Sequence, residues 1–143
     1  MINWTFLIID YLKLNEREKA DALLKKINDY QVGPFLLWRE LTAPNSVINF
    51  LPNSGLVLQM LLNGYMGITV HLNYLEINNI KLPIDIIDIK INGLYYLKNL
   101  FSLRIENGEY IYISFRKLNP MQMLEMIIDE ISVDIYQGYE CKI

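Results

Sequence analysis

Apolar and polar residues alternate along much of the chain, most clearly in its last third. The runs 94–105 and 109–116 have the period of two that is typical of half-buried strands. Because Asn107-Gly108 lies between them, we predict a β-hairpin. A three-residue loop, 106–108, keeps both apolar sets on one face, with Gly108 in the left-handed position and Asn107 in a right-handed one.

Two segments have the spacing of amphipathic helices instead. The first is predicted over about 15–31, where Asn15 opens a capping box and Gly33-Pro34 ends the helix. The second is predicted over about 120–135, because Asn119-Pro120 is a favourable helix start and apolar residues follow at intervals of three and four.

The remaining pattern predicts strands joined by short turns that contain Asn, Gly or Pro. The fold class is therefore α+β: an antiparallel curled sheet or barrel of about seven strands with an N-terminal and a C-terminal helix. We expect a single domain, 1–143, in which a helical extension (1–34) packs on a β-rich core (35–135), with a tail at 136–143. The seven predicted strands are 35–42, 46–51, 56–63, 66–77, 80–91, 94–105 and 109–116.

Composition excludes several classes of partner. A net charge of −3 argues against direct nucleic-acid binding, which needs a basic surface. The single cysteine, Cys141, cannot form an internal disulfide, and no Cys/His/Asp group has metal-ligand spacing. We therefore expect no cofactor or metal. The apolar start, 1–14, lacks the features of a signal peptide, which predicts a cytoplasmic protein.

Catalytic constellations are equally scarce. The one histidine, His71, is predicted on the exposed face of a strand, without a nucleophile beside it. Two carboxylate pairs, Asp85/Asp88 and Glu106/Glu109, are interpreted as solvated surface groups rather than as acid–base pairs. On these grounds we expect no enzymatic activity.

The order of elements resembles the pleckstrin-homology superfold. Residues 80–89, Ile-Lys-Leu-Pro-Ile-Asp-Ile-Ile-Asp-Ile, are similar to a stretch of GRAM-type and bacterial PH-like domains, and the resemblance extends over about 66–135. It implies a barrel that is plugged at one end by the C-terminal helix. Members that bind phosphoinositides carry Lys and Arg around the first hairpin, whereas 35–62 has only Arg39 as a cation, so we expect no phosphoinositide or membrane binding.

Ten tyrosines favour a binding surface. Tyr95, Tyr96, Tyr110 and Tyr112 are the candidate partner-binding residues, the last two because their parity points away from the apolar face of the hairpin. The sequence thus predicts a non-catalytic module that holds a protein or peptide, and it leaves homo-oligomer formation open. The alternative is a small acidic antagonist, such as an immunity or phage-encoded inhibitor, of a basic enzyme such as a nuclease.

Overall fold

A computed structural model describes residues 2–43, 45–107, 110–117, 125–128, 131–134 and 140–142. The Cα positions group into two compact units, Met1–Gly67 and Ile68–Ile143. The α+β class is confirmed, because the first unit is mainly helical and the second is built of strands. The placement of 1–34 as an extension on a core of 35–135 stays a prediction.

The first unit contains three α-helices and a short hairpin in its described part. The helices are α1 (Ile2–Lys13), α2 (Arg17–Ile27) and α3 (Leu51–Gln59). A 3₁₀ turn, Asn28–Tyr30, extends α2, and a π-helical turn, Met60–Tyr65, extends α3. The hairpin pairs β1 (Gln31–Val32) with β2 (Leu37–Trp38). No helix among the described residues is long and apolar enough to cross a membrane.

Helix α1 was not predicted, although its pattern is regular. Four buried residues follow one another in α1 at intervals of three, one and three: Thr5, Ile8, Ile9 and Leu12. These intervals place them on one helical face. From the sequence, this stretch was tested only against the pattern of a signal peptide. An apolar segment that is too short to span a membrane is equally suited to a core helix.

Helix α2 lies within the predicted 15–31, but its predicted capping box is wrong. The N-cap is Glu16, which makes no side-chain capping bond. Asn15 is left-handed, with φ 68°, because it closes a tight connection from α1. In that connection the Glu16 backbone N–H donates to the Tyr11 carbonyl at 2.8 Å.

Helix α3 and the π-helical turn replace the predicted strand 56–63, and the predicted strand 46–51 is irregular up to Phe50. Pro52 lies in the first turn of the helix, where its missing N–H costs no hydrogen bond. The predicted turn between these two strands, 52–55, is therefore part of the helix. A short apolar run such as 56–62 fits a buried strand or a helix equally well, and in this case packing against α1 decides for the helix.

Tyr65 holds the π-helical turn in the core of the first unit. Its side chain is fully buried, and its hydroxyl donates to Asp21 Oδ1 on α2 at 2.8 Å. Desolvation, reinforced by the Asp21 carboxylate, raises the pKa of Tyr65 far above the ordinary tyrosine value. Next to it, a Cβ on Gly64 would lie 3.1 Å from Leu12 Cδ1 and 3.3 Å from Ile9 Cγ1 of α1, so a larger residue would require these side chains to shift by a few tenths of an ångström.

The second unit contains two four-stranded sheets in its described part. One has the order β10-β7-β6-β5 and is antiparallel, and the other has the order β3-β4-β8-β9, in which β4 and β8 are parallel. Neither is a barrel within the described residues, so the predicted curled sheet of seven strands is not observed. The strands are β3 (Ile68–Val70), β4 (Tyr74–Ile77), β5 (Ile89–Tyr96), β6 (Asn99–Glu106), β7 (Tyr110–Lys117), β8 (Glu125–Ile128), β9 (Ile131–Asp134) and β10 (Glu140–Lys142).

The predicted hairpin exists as β6–β7, with a register two positions from the expected one. Ile105 pairs with Ile111 and Glu106 with Tyr110, which leaves 107–109 between the strands instead of 106–108. The apolar sets share one face, as predicted. Asn107 is left-handed, with φ 54°, so its predicted right-handed conformation is wrong. The conformation of Gly108 lies outside the described residues.

A second turn was predicted in the wrong place. Asn92-Gly93 is a bulge within β5, where the register with β6 shifts and Gly93 has φ +77°. The chain reverses instead at Leu97-Lys98, both of which have positive φ. The predicted strand 80–91 is also shorter than expected, since 80–88 is irregular and β5 begins at Ile89.

The predicted helix 120–135 is wrong where the structure describes it. Residues 125–128 and 131–134 form the antiparallel strands β8 and β9. Met126 and Ile128 are buried, and Ile127 between them is half-buried. This alternation is the period of two that is typical of a strand. The helix start at Asn119-Pro120 lies outside the described residues. Residues 140–142, expected in a tail, form β10 beside β7.

We expect Tyr65→Phe to destabilise the protein by about 1–3 kcal/mol, because Asp21 would lose its buried donor. Urea unfolding at pH 7 to 11 measures this. The raised pKa keeps the phenol protonated in the folded state, so the unfolded state ionises first once the pH exceeds about 10. The stability that Tyr65 contributes is thus complete below pH 10 and declines above it. A difference between wild type and variant that grows above pH 10 would contradict this account.

Gly93→Ala should cost about 1 kcal/mol, because alanine would have to adopt positive φ in the β5 bulge. The new methyl group itself has nothing within 4 Å, so steric contact adds nothing to this cost. Gly55→Ala is the matched control, since Gly55 is equally open but helical, and alanine there should be neutral or stabilising. If both variants changed the unfolding temperature by the same amount, the positive φ of Gly93 would not be the cause of the stability loss.

Candidate functional site

Among the described residues, three side-chain atoms of the first unit are buried without a hydrogen-bond partner. One of them, Asp21 Oδ2, lies 3.6 Å from Arg17 Nε in an ion pair, and the other two belong to residues in contact with each other. Asn53, in the first turn of α3, is 1% exposed, and its Nδ2 donates to the Arg39 carbonyl at 2.6 Å. Its Oδ1 is buried and accepts no hydrogen bond from any described residue, and Arg39 Nε is likewise buried without an acceptor. Buried polar atoms are normally satisfied, so this Arg39–Asn53 pair is the first place to look for a ligand.

Backbone bonds position the Arg39–Asn53 pair. The Arg39 N–H donates to the Tyr30 carbonyl at 3.0 Å, and Phe50 N–H donates to the Trp38 carbonyl at 2.7 Å. Arg39 Nη2 also donates to the Asp29 carbonyl at 3.1 Å. The guanidinium is therefore anchored at one nitrogen, while the buried Nε has no acceptor among the described residues.

The chemistry of the Arg39–Asn53 pair favours a hydroxyl group. Arg39 Nε can only donate, and Asn53 Oδ1 can only accept. A hydroxyl does both, so one hydroxyl group, or two adjacent ones, can satisfy both atoms. This pair was not predicted from the sequence, in which Arg39 is an isolated cation and Asn53 belongs to an expected turn. No local pattern joins residues fourteen positions apart.

A second polar group lies at the hairpin between β3 and β4. His71 Nε2 is 2.6 Å from Glu76 Oε2, and Asn78 Nδ2 donates to Glu76 Oε1 at 2.5 Å. The His71 ring stacks on Tyr74, with centroids 4.1 Å apart. His71 thus lies in a turn beside a carboxylate, rather than unaccompanied on an exposed strand face.

The carboxylate pairs considered from sequence are partly engaged in structure. Asp88 Oδ1 accepts the Asn107 backbone N–H at 2.9 Å, and Glu106 forms an ion pair with Arg104. Asp88 therefore ties β5 to the end of β6. Among the described residues, no three His, Cys, Asp or Glu side chains are grouped so that they could hold a metal ion.

The four predicted partner-binding tyrosines have different surroundings. Tyr95 is 68% exposed. The Tyr96 hydroxyl donates to the carbonyls of His71 and Tyr74, so it ties β5 to the β3–β4 hairpin. Tyr112 lies under the guanidinium of Arg104, 5.9 Å from it. Tyr110 pairs with Glu106, and its side chain lies outside the described residues. Partner binding by these residues stays a prediction.

Comparison with known proteins finds relatives that share one name. The chain is 32% identical over 121 residues to the protein-glucosylgalactosylhydroxylysine glucosidase of Danio rerio, covering 85% of this chain and 18% of that protein. The enzyme of the same name from Gallus gallus is 27% identical over 129 residues, which cover 90% of this chain and 18% of that protein. The chain therefore spans about a fifth of the length of the curated relatives it matches. No protein-family profile matches it.

The fold has a solved counterpart. A putative kojibiose phosphorylase from human microbiome superposes with a TM-score of 0.71 at 10% identity, over 97% of this chain and 19% of that one. The fold is thus that of part of a glycoside phosphorylase or hydrolase-like chain, and the resemblance to a pleckstrin-homology domain is wrong. Alternating apolar residues around an Asn-Gly turn are common to many sheets and did not discriminate between them.

The functional expectations change with the fold. The relatives are named as glucosidases, which overturns both the non-catalytic binding module and the alternative of an acidic antagonist. It also overturns the expectation that no enzymatic activity is involved. That expectation rested on the absence of a catalytic constellation within a stretch that corresponds to only a fifth of these relatives.

Tyr96→Phe should destabilise the protein by about 1–2 kcal/mol, because two hairpin carbonyls lose their shared donor. Tyr95→Phe is the control: its ring is largely exposed, and we expect a change within about 0.5 kcal/mol. Chemical unfolding of both variants gives the difference. Equal stability of the two would show that the Tyr96 hydroxyl contributes nothing to holding the hairpin.

Proposed function

We propose that this chain is part of a glycosidase-type protein that acts on a glucoside. The observation that carries the proposal is the 32% identity over 121 residues to a glucosidase, which extends over most of the chain. The relatives' own names specify a glucosyl group on a galactosylhydroxylysine, and we infer the same class of substrate, a glucose-terminated glycoside.

Within that function we assign the Arg39–Asn53 pair to saccharide binding. A glucosyl unit is rich in hydroxyl groups, and each can donate to Asn53 Oδ1 while accepting from Arg39 Nε. Both atoms are buried and unpartnered among the described residues, so a sugar hydroxyl would relieve an existing desolvation cost. Neither a guanidinium nor a carboxamide changes its protonation state near neutral pH, so this role is binding and orientation rather than acid–base catalysis.

The experiment is a glucose-release assay with the protein at its natural length. The probes are glucosylgalactosylhydroxylysine and kojibiose, and saccharide binding is measured in parallel by calorimetry. We expect glucose release from at least one probe. Arg39→Lys should raise KM about tenfold or more with a smaller change in kcat, because it removes the Nε donor, and one charge-assisted hydrogen bond contributes about 1.5–3 kcal/mol.

Arg104→Lys is the matched control, since Arg104 is exposed and pairs with Glu106 in the second unit. Its KM should equal that of the wild type. A protein that neither binds nor cleaves these glucosides at millimolar concentration would refute the glycosidase assignment. Equal KM values for the two variants, in an active enzyme, would remove Arg39 from the binding site and leave the enzymatic class intact.

A further inference from the structure

Asn-Gly sequences occur three times in the chain, at Asn63-Gly64, Asn92-Gly93 and Asn107-Gly108. In such a sequence the backbone nitrogen of glycine can attack the side-chain carbonyl carbon of asparagine, because glycine has no Cβ to obstruct the approach. The structure describes the first two completely, whereas Gly108 lies outside the described residues. These two sequences have very different surroundings.

Asn92-Gly93 lies at a break in the ladder between β5 and β6. The register shifts between Ile91 and Leu94, so the two residues between them have no paired position in β6. In the described part of the sheet β5 is the outermost strand, with a neighbour on one side only. Asn92 and Gly93 are both exposed, and a Cβ on Gly93 would meet nothing within 4 Å. The asparagine side chain therefore has space to turn toward the glycine nitrogen, and water can reach the site.

Asn63-Gly64 has the same two residues in a restrained environment. Both belong to the π-helical turn Met60–Tyr65, where backbone N–H groups are engaged in helical hydrogen bonds. Asn63 is half-buried and Gly64 is buried, and a Cβ on Gly64 would lie 3.1 Å from Leu12 Cδ1. Helical hydrogen bonding and close packing therefore oppose the movement that would bring the Asn63 side chain onto the Gly64 nitrogen.

We propose that Asn92 is a site of spontaneous deamidation in the folded protein. The Gly93 nitrogen forms a bond to Asn92 Cγ, the Cγ–Nδ2 bond breaks, and ammonia leaves with the proton of the Gly93 amide. One water molecule then opens the cyclic succinimide at either of its two carbonyls, which gives aspartate by one route and isoaspartate by the other. The reaction needs no oxidant, reductant or enzyme, because the nucleophile belongs to the residue next to its target. The proposal is independent of the glycosidase assignment.

The new carboxylate enters a part of the sheet that carries two cations. Lys90, two positions before Asn92 on β5, pairs with Arg104 on β6. Like charges at directly opposite positions of a ladder repel each other, and a residue two positions along the strand lies on the same face. A negative charge at position 92 therefore reduces this repulsion, so the charge change is compatible with the folded sheet.

The test is peptide mapping by mass spectrometry after the protein at its natural length has been incubated at pH 8 and 37 °C. We expect deamidation at Asn92 to be at least fivefold faster than at Asn63 in the folded protein. In guanidinium chloride that unfolds the chain, the two rates should agree within twofold, because an apolar residue precedes each Asn-Gly sequence. An Asn92 rate in the folded protein that does not exceed the Asn63 rate would overturn the proposal.

The products provide a second measurement, because only ring closure by Gly93 gives two of them. We expect both aspartate and isoaspartate at position 92, which electron-transfer fragmentation distinguishes. In water enriched in oxygen-18, each product should take up one heavy oxygen atom. Aspartate alone would indicate direct hydrolysis of the side chain and would overturn the role of the Gly93 nitrogen.

Gly93→Ala should slow deamidation at Asn92 at least fivefold, because the added Cβ obstructs the approach of the nitrogen to the side chain. Gly55→Ala is the matched control: Gly55 is equally open but follows a serine, so the rate at Asn92 should equal that of the wild type. Equal rates at Asn92 in the two variants would contradict the proposal. If Gly93→Ala does not fold, the rates and products of the wild-type protein decide the question.

Discussion

The buried contact of the π-helical turn with α1 and α2 is the constraint on which the first unit depends. Tyr65 is fixed by its hydrogen bond to Asp21, and Gly64 brings the turn so close to α1 that a Cβ would lie 3.1 Å from Leu12 Cδ1. These contacts fix the C-terminal end of the continuous helical segment that begins with α3. Because a helix is stiff, they also restrict where its first turn, and therefore Asn53, can lie.

In the second unit, two polar side chains, Tyr96 and Asp88, likewise fix parts of the chain outside the strands through hydrogen bonds. Tyr96 reaches from β5 to two carbonyls of the β3–β4 hairpin, and Asp88 accepts a backbone N–H from the end of β6. Both side chains thus add hydrogen bonds to backbone groups at the ends of strands. Tyr96, a candidate partner-binding residue in the sequence, is thus hydrogen-bonded within the second unit through its hydroxyl.

The unsatisfied polar atoms of the Arg39–Asn53 pair are a feature that the first unit leaves open. Burying a polar atom without a hydrogen bond costs free energy. Arg39 retains one donor and Asn53 one acceptor without a partner among the described residues. A saccharide hydroxyl would satisfy both atoms, which agrees with relatives that are named as glucosidases.

The sequence by itself determined the α+β class, the position of α2 and the shared apolar face of β6 and β7, because these follow from local periodicity and turn residues. Only the tertiary structure decided that 56–65 is helical and that 125–128 and 131–134 form strands, since short apolar runs satisfy either period and long-range packing selects one. The Arg39–Asn53 pair also required the fold. Its significance lies in two atoms without partners, and whether an atom has a partner depends on which distant residues surround it.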